Sequence, residues 1–193
     1  MQEKINAGLL GSIKAKQDFA AAYSGELCRL VEALVSAFNN GNKLLIFGNG
    51  GSAADAQHLA AEFVNRFLID RRPLPAIALT TDSSVLTSIG NDFSFDDIFV
   101  KQIKALGQAG DVALGISTSG NSPNVLKAIE QAKGMGLLTA ALTGGHGGKL
   151  LPLADIGLNV PSSFTPHIQE SHLWAEHLLC QLVDERMFGA ARP

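Results

Sequence analysis

The chain has 193 residues, enough for one domain with a core of its own and too few for two comfortable ones. Hydrophobic residues make up 46% and charged residues 17%, a charge-poor surface that leads us to expect an oligomer burying part of its outside. A net charge of −3 with mixed signs excludes the basic stripe of a nucleic-acid binder, and no apolar run nears the roughly 18 residues of a membrane span.

The opening, MQEKINAGLLGSIKAKQ, is amphipathic and lacks the apolar segment of a secretory signal. Cys28 and Cys180 follow no metal or redox spacing, so the expected setting is the cytoplasm with both thiols reduced. Residues 1–42 read as a helical pair making oligomer contacts: 3–22, then 25–38, where Leu27, Leu30, Val31, Leu34, Val35 and Phe38 recur at helical spacing. Asn39-Asn40-Gly41-Asn42 ends the pair and leads into a strand at 44–47. A helix over 53–67 follows, then Pro73, Pro75 and a short strand at 76–79. Helices at 83–89 and 95–106 flank a break at Gly90-Asn91-Asp92. The remaining elements are a strand at 112–116, a helix at 123–133, a strand at 137–142, a glycine loop over 144–148, a strand at 156–160 and a long final helix at 168–188. Nearly continuous apolar strands alternating with helices predict a parallel sheet covered on both faces. The expected fold is a single-domain, flavodoxin-like α/β/α sandwich of three layers, with a five-stranded sheet plus the N-terminal helices.

Two strands run straight into small, hydroxyl-rich loops that open a helix: KLLIFGNGGSAADAQ from Lys43 and DVALGISTSGNSPNVL from Asp111. Small residues let a ligand approach the backbone closely, and free N–H groups at a helix start carry partial positive charge. The hydroxyls of Ser52, Ser117, Thr118, Ser119 and Ser122 add uncharged donors. In a parallel sheet both loops fall beyond the carboxyl ends of the strands, where ligands bind, so a phosphate held between them is the simplest reading. A tight turn alone would also explain the first loop. A helix capped by Ser122 or Asn121, with Pro123 in its first turn, would explain part of the second, but four Ser/Thr in six residues exceed what a cap requires. The first loop also fits a loose G-x-G-x-x-A pattern. Its acidic partner would be Asp82, about 34 positions on instead of roughly 20, which argues against a dinucleotide; no Gly-Lys-Ser/Thr marks a nucleotide P-loop.

His58 and Glu62 stand at i and i+4 on one helical face, a spacing open to a shared metal ion, a general base or an ordinary surface hydrogen bond. The final helix packs Gln169, Glu170, His172, Glu176 and His177 into nine residues of an otherwise apolar stretch. His172 and Glu176 read as a solvated i,i+4 pair, and His177 as either a buried, satisfied histidine or a functional one.

With these blocks in view, FGNGGSAADAQHLAAEFVNRF, IGNDFSFDDIF, GISTSGNSPNVLKAI and IQESHLWAEHLL, the chain resembles the sedoheptulose 7-phosphate isomerases of the sugar-isomerase (SIS) fold over residues 41–189. The resemblance implies that Asn49, Gly50, Gly51 and Ser52 form a first sugar-phosphate loop, that Asn91, Asp92 and Gln169 contact substrate, and that Ser117, Thr118, Ser119 and Ser122 hold the phosphate. It implies Glu62 and His177 as the acid/base pair, and His58, Glu62, Gln169 and His177 as a site for one zinc ion per subunit. It further implies a homotetramer with interfacial active sites, and an aldose–ketose isomerase making D-glycero-D-manno-heptose 7-phosphate for ADP-heptose and the lipopolysaccharide core. Gln169 and His177 lie eight residues apart, about 12 Å of rise and about 80° around a regular helix. Both reach one ion only if the helix starts irregularly near Pro166 or if different subunits contribute, and we favour the second. The opening MQEKI and the turn at 39–43 also resemble the replication-initiator-associating protein of the same fold, a non-catalytic adaptor in which the glutamate and histidine are replaced. Here Glu62 and His177 are both present, so the enzyme is the first expectation and an initiator contact the alternative.

Overall fold

Residues 1–189 are described by the structure, a computed structural model. The sheet consists of β1 (Leu44–Gly48), β2 (Ala76–Ala78), β3 (Val112–Ser117), β4 (Leu138–Gly144) and β5 (Ile156–Val160). All neighbours pair parallel in the order β2-β1-β3-β4-β5. Every residue of β1 and β3 is buried, which is why their apolar runs are unbroken and not alternating.

Around the sheet lie α1 (Gln2–Asn39), α2 (Gly51–Val64), α3 (Ser83–Asp92), α4 (Ile98–Leu106), α5 (Pro123–Gly134), a one-turn α6 (Leu150–Leu153) and α7 (Thr165–Phe188). One core joins α1, α2 and α7 to the sheet face that carries Leu44, Ile46, Leu114 and Leu142. The other joins α4, α5 and α6 to the opposite face, through Leu45, Phe47, Ala113 and Ala141. The three-layer α/β/α sandwich with five parallel strands is the expected architecture.

Several boundaries differ. The expected N-terminal pair is one helix of 38 residues. Gly25, with open space around its Cα, does not break it, because Phe19, Leu27, Leu30 and Leu34 form a buried stripe that outweighs a glycine's ~1 kcal/mol helix penalty. Residues 1–10, by contrast, are all exposed. α3 runs through the expected break, so Asn91 and Asp92 occupy its last turn; the chain turns instead at Phe93, and the Ser94 side chain caps a 3-10 turn at Phe95–Asp97. α7 begins at Thr165 with Pro166 in its first turn, where a missing N–H leaves no bond unmade. No helix among the described residues is long and apolar enough to cross a membrane.

Candidate active site

Both small-residue loops leave the sheet side by side, since β1 and β3 are paired neighbours whose ends meet at Gly48 and Ile116. The first turns sharply at Gly50, whose φ of 57° lies in the region glycine tolerates, and α2 starts there without a side-chain cap. Ser52 is buried in that first turn. The amide of Gln169 covers Gly51 so closely that a Cβ at that position would collide with it.

From this point α2 and α7 run alongside each other. Seven residues along α2 from Gly51 stands His58, and eight along α7 from Gln169 stands His177. Their Nε2 atoms are 2.8 Å apart, with the rings edge to face at 5.0 Å. At that separation one imidazole donates its N–H to the other. Glu62 Oε1 lies 3.7 Å from His58 Nε2, and Phe67 stacks on His177 at 5.5 Å. The His58 and Glu62 side chains keep 40% and 24% of their surface, so a ligand can reach them. Within one chain His58 thus lies against both Glu62 and His177, two of the other three implied metal ligands. Gln169, the third, lies apart: it sits about two turns away at the first loop, and the regular start of α7 rules out the irregular helix as a way to bring it closer.

Two imidazoles and a carboxylate are donors that suit zinc, so the residues fit such an ion in kind. Two nitrogens on one tetrahedral ion stand about 3.3 Å apart, so the 2.8 Å pair would open by about half an ångström to admit it. As they stand, no group of three or more His, Cys, Asp or Glu among the described residues is arranged around a common point.

The cluster is braced from behind by a residue that the sequence did not single out. Arg71, 1% exposed in its side chain, pairs with Asp184 of α7 at 2.9 Å and donates to the carbonyls of Glu62 (2.9 Å) and Phe63 (2.7 Å). It thereby satisfies the open carbonyls at the end of α2, places positive charge at that helix terminus and ties it to α7. His172 and Glu176, expected in solvent, are both buried. His172 donates from Nε2 to the Thr143 carbonyl at 2.9 Å, and burial lowers its pKa to about 4, leaving it neutral. Neither oxygen of Glu176 has a hydrogen-bond partner; burial, and then the neighbouring Asp55, push its pKa well up, so it is held as the neutral acid. Asp55 itself is raised to about 6 by burial, against the pull of His58. Asp55 precedes His58 by three residues, a spacing that could have drawn notice; nothing local marks Arg71 or shows that Glu176 is buried.

In the second loop Ser122 does not cap α5 with its side chain, and its hydroxyl lies 3.0 Å from that of Ser117. The Ser119 hydroxyl accepts the Asn121 N–H, and the Asn121 amide oxygen accepts the Lys149 N–H. Gly120, at a φ of 65°, lies against Gly147 and Gly148, where a Cβ would overlap backbone. The loop is thus shaped by the glycine segment beside it. Thr118, Ser119, His146, Ser162 and Ser163 line a cavity of about 330 Å³, and Asn49, Gly50 and Thr80 border another of about 170 Å³. A larger space of about 570 Å³ lies between β2, α3 and α4, but its lining is mostly apolar and holds none of the cluster. Asn91 and Asp92 are exposed, bond each other at 2.8 Å and border neither of the two cavities beside the loops.

Residues 12–144 match the SIS domain family. The chain is 48% identical over 192 residues to the phosphoheptose isomerase of Aneurinibacillus thermoaerophilus, covering 97% of this chain and 96% of that protein. The structure of phosphoheptose isomerase from Neisseria gonorrhoeae superposes with a TM-score of 0.90 at 45% identity, over 95% of this chain and 98% of that one. A phosphoheptose isomerase from Francisella tularensis gives 0.91 at 43%, with the same coverage. A carboxylate–imidazole cluster beside two hydroxyl-and-glycine loops, carried by this fold at this identity, places the chain in the phosphoheptose isomerase family of SIS-domain enzymes.

Proposed function

We propose that the enzyme converts sedoheptulose 7-phosphate to D-glycero-D-manno-heptose 7-phosphate by moving a proton between C1 and C2 through an enediol. The observation that carries this reading is the meeting of His58, Glu62 and His177 on adjacent helices, next to two loops built to take an anion. The C–H bond is weakly acidic, so its base has to be positioned and the oxygen that gains charge needs a donor. Glu62 is the base that takes the carbon proton, and His177 moves protons at the sugar oxygens. His58, hydrogen bonded to His177, orients that ring. Ser117, Thr118, Ser119 and Ser122 hold the phosphate, and Asn49, Gly50, Gly51 and Ser52 take the sugar beside it; binding at the phosphate orients the reacting end. Zinc, one ion per subunit and held by His58, Glu62 and His177, would take the place of the His58–His177 hydrogen bond and supply Lewis-acid charge at the C1 and C2 oxygens.

The functional assembly is a homotetramer with interfacial sites. Ile5, Leu9, Leu10 and Ile13 form an exposed apolar stripe on the uncovered start of α1, which supports a helix contact between copies. A neighbouring subunit brings Gln169, Asn91 and Asp92 to a site that one chain leaves incomplete. The enzyme works in the cytoplasm on the route to ADP-heptose and the lipopolysaccharide core. The adaptor reading is not favoured, because Glu62 and His177 are both present and each lies against His58. The decisive assay incubates the pure protein with sedoheptulose 7-phosphate: a new aldose phosphate is expected, and unchanged ketose would overturn the assignment.

A further inference from the structure

The two anion loops are joined by a reciprocal pair of side-chain amides. Asn49, in the loop after β1, donates from Nδ2 to Oδ1 of Asn124 at 2.9 Å, and Asn124, in the first turn of α5, returns a bond of 2.9 Å to Oδ1 of Asn49. Asn124 is 1% exposed, and its Oδ1 also accepts the Val125 N–H at 3.0 Å. A buried amide with both ends engaged fixes its partner in direction as well as in distance, and losing one member would leave the other's polar atoms unpaired.

We propose that Asn124 is a positioning residue of the sugar-phosphate site, clasping the first loop to the second so that one ligand meets both at a fixed spacing. Asn49 then serves substrate through its main chain, its side chain being committed to Asn124. This inference rests on the sugar-phosphate reading of the two loops. It explains why an asparagine follows Ser122-Pro123 where helix capping requires none: Ser122 spends its hydroxyl on Ser117, and Asn124 reaches back across the gap between β1 and β3.

The test is a double-mutant cycle read by calorimetry with two ligands, sedoheptulose 7-phosphate, which spans both loops, and inorganic phosphate, which needs only the second. Asn49→Ala and Asn124→Ala should each weaken the sugar phosphate about tenfold, and the double variant no further, because either change breaks the same clasp. Inorganic phosphate should bind each variant within about twofold of the unaltered chain, a difference that a general loss of folding would not produce. Independent, multiplying losses would mean that Asn49 touches substrate with its side chain, and would overturn the clasp. Equal loss of both ligands, or full affinity in the single variants, would overturn it as well. Failure of the unaltered chain to bind either ligand would overturn the sugar-phosphate reading, and this proposal with it.

Discussion

The seam between α2 and α7 and the short helix α3 carry residues of one implied site, yet they are built in opposite ways. Along the seam Leu59, Phe63, Ala175 and Leu179 are buried, and the Arg71–Asp184 pair locks the two helices together. α3 has no buried residue, and Asn91 and Asp92 at its end face outward and bond each other. The difference teaches where the fold supplies geometry by itself. Acid/base groups have to be held to fractions of an ångström, and packing within one chain does so at the seam for the pair we propose. Groups on an uncovered helix take their place only when something packs over it.

Four measurements would break or sharpen that contrast. The largest effect is expected at Glu62: Glu62→Gln should lower turnover by about 10²–10⁴-fold with the melting temperature nearly unchanged, since only the base is lost. Near-normal turnover would move the base elsewhere. Arg71→Met comes next. It leaves Asp184 as an uncompensated buried charge and should lower unfolding free energy by about 3–5 kcal/mol in urea titration, with partial recovery on adding Asp184→Asn. A loss under about 1 kcal/mol, the range of surface pairs, would show that the seam does not depend on the clamp.

The third concerns acid stability. His172 binds its proton near pH 4 when folded and about pH 6.5 when unfolded, so between these values the unfolded chain holds more protons and stability falls as pH drops. By pH 4 the loss reaches about 3 kcal/mol, and His172→Gln should lack it. Asp55 acts in the opposite sense: its raised carboxyl reduces stability as pH rises from about 4 towards 6. The difference between the two proteins is therefore the informative quantity, and identical pH profiles would contradict the buried neutral imidazole. The smallest effect is expected on α3, where Asn91→Ala with Asp92→Ala should change stability by no more than about 0.5 kcal/mol while raising KM. A larger loss of stability would mean that α3 is supported within the chain after all.

Much of this architecture was legible before any coordinates. Unbroken apolar strands dictated burial on both faces, and the hydroxyl-rich loops fell at the strand ends because in a parallel sheet they have no other place. Local signals misled where a longer-range contact outweighed them. Gly25 looked like the start of a second helix, but the stripe from Phe19 to Leu34 carries α1 across it. His172 and Glu176 looked like a surface pair because a sequence does not show which face of α7 meets the sheet. Arg71 could not be picked out from its neighbour Arg72, since only its fold position gives it Asp184 and the carbonyls of α2.

The amino-acid order alone determined the layered fold, the two glycine-and-hydroxyl loops and the shared face of His58 and Glu62, because each follows from periodicity or turn chemistry within a few residues. Tertiary structure alone decided that His58 meets His177 across 119 positions, that Asn49 clasps Asn124 across 75, and that Glu176 lies buried as a neutral acid. Those outcomes depend on how whole helices register against the sheet and against each other. Side chains throughout the core set that register jointly, and no short stretch of sequence carries it.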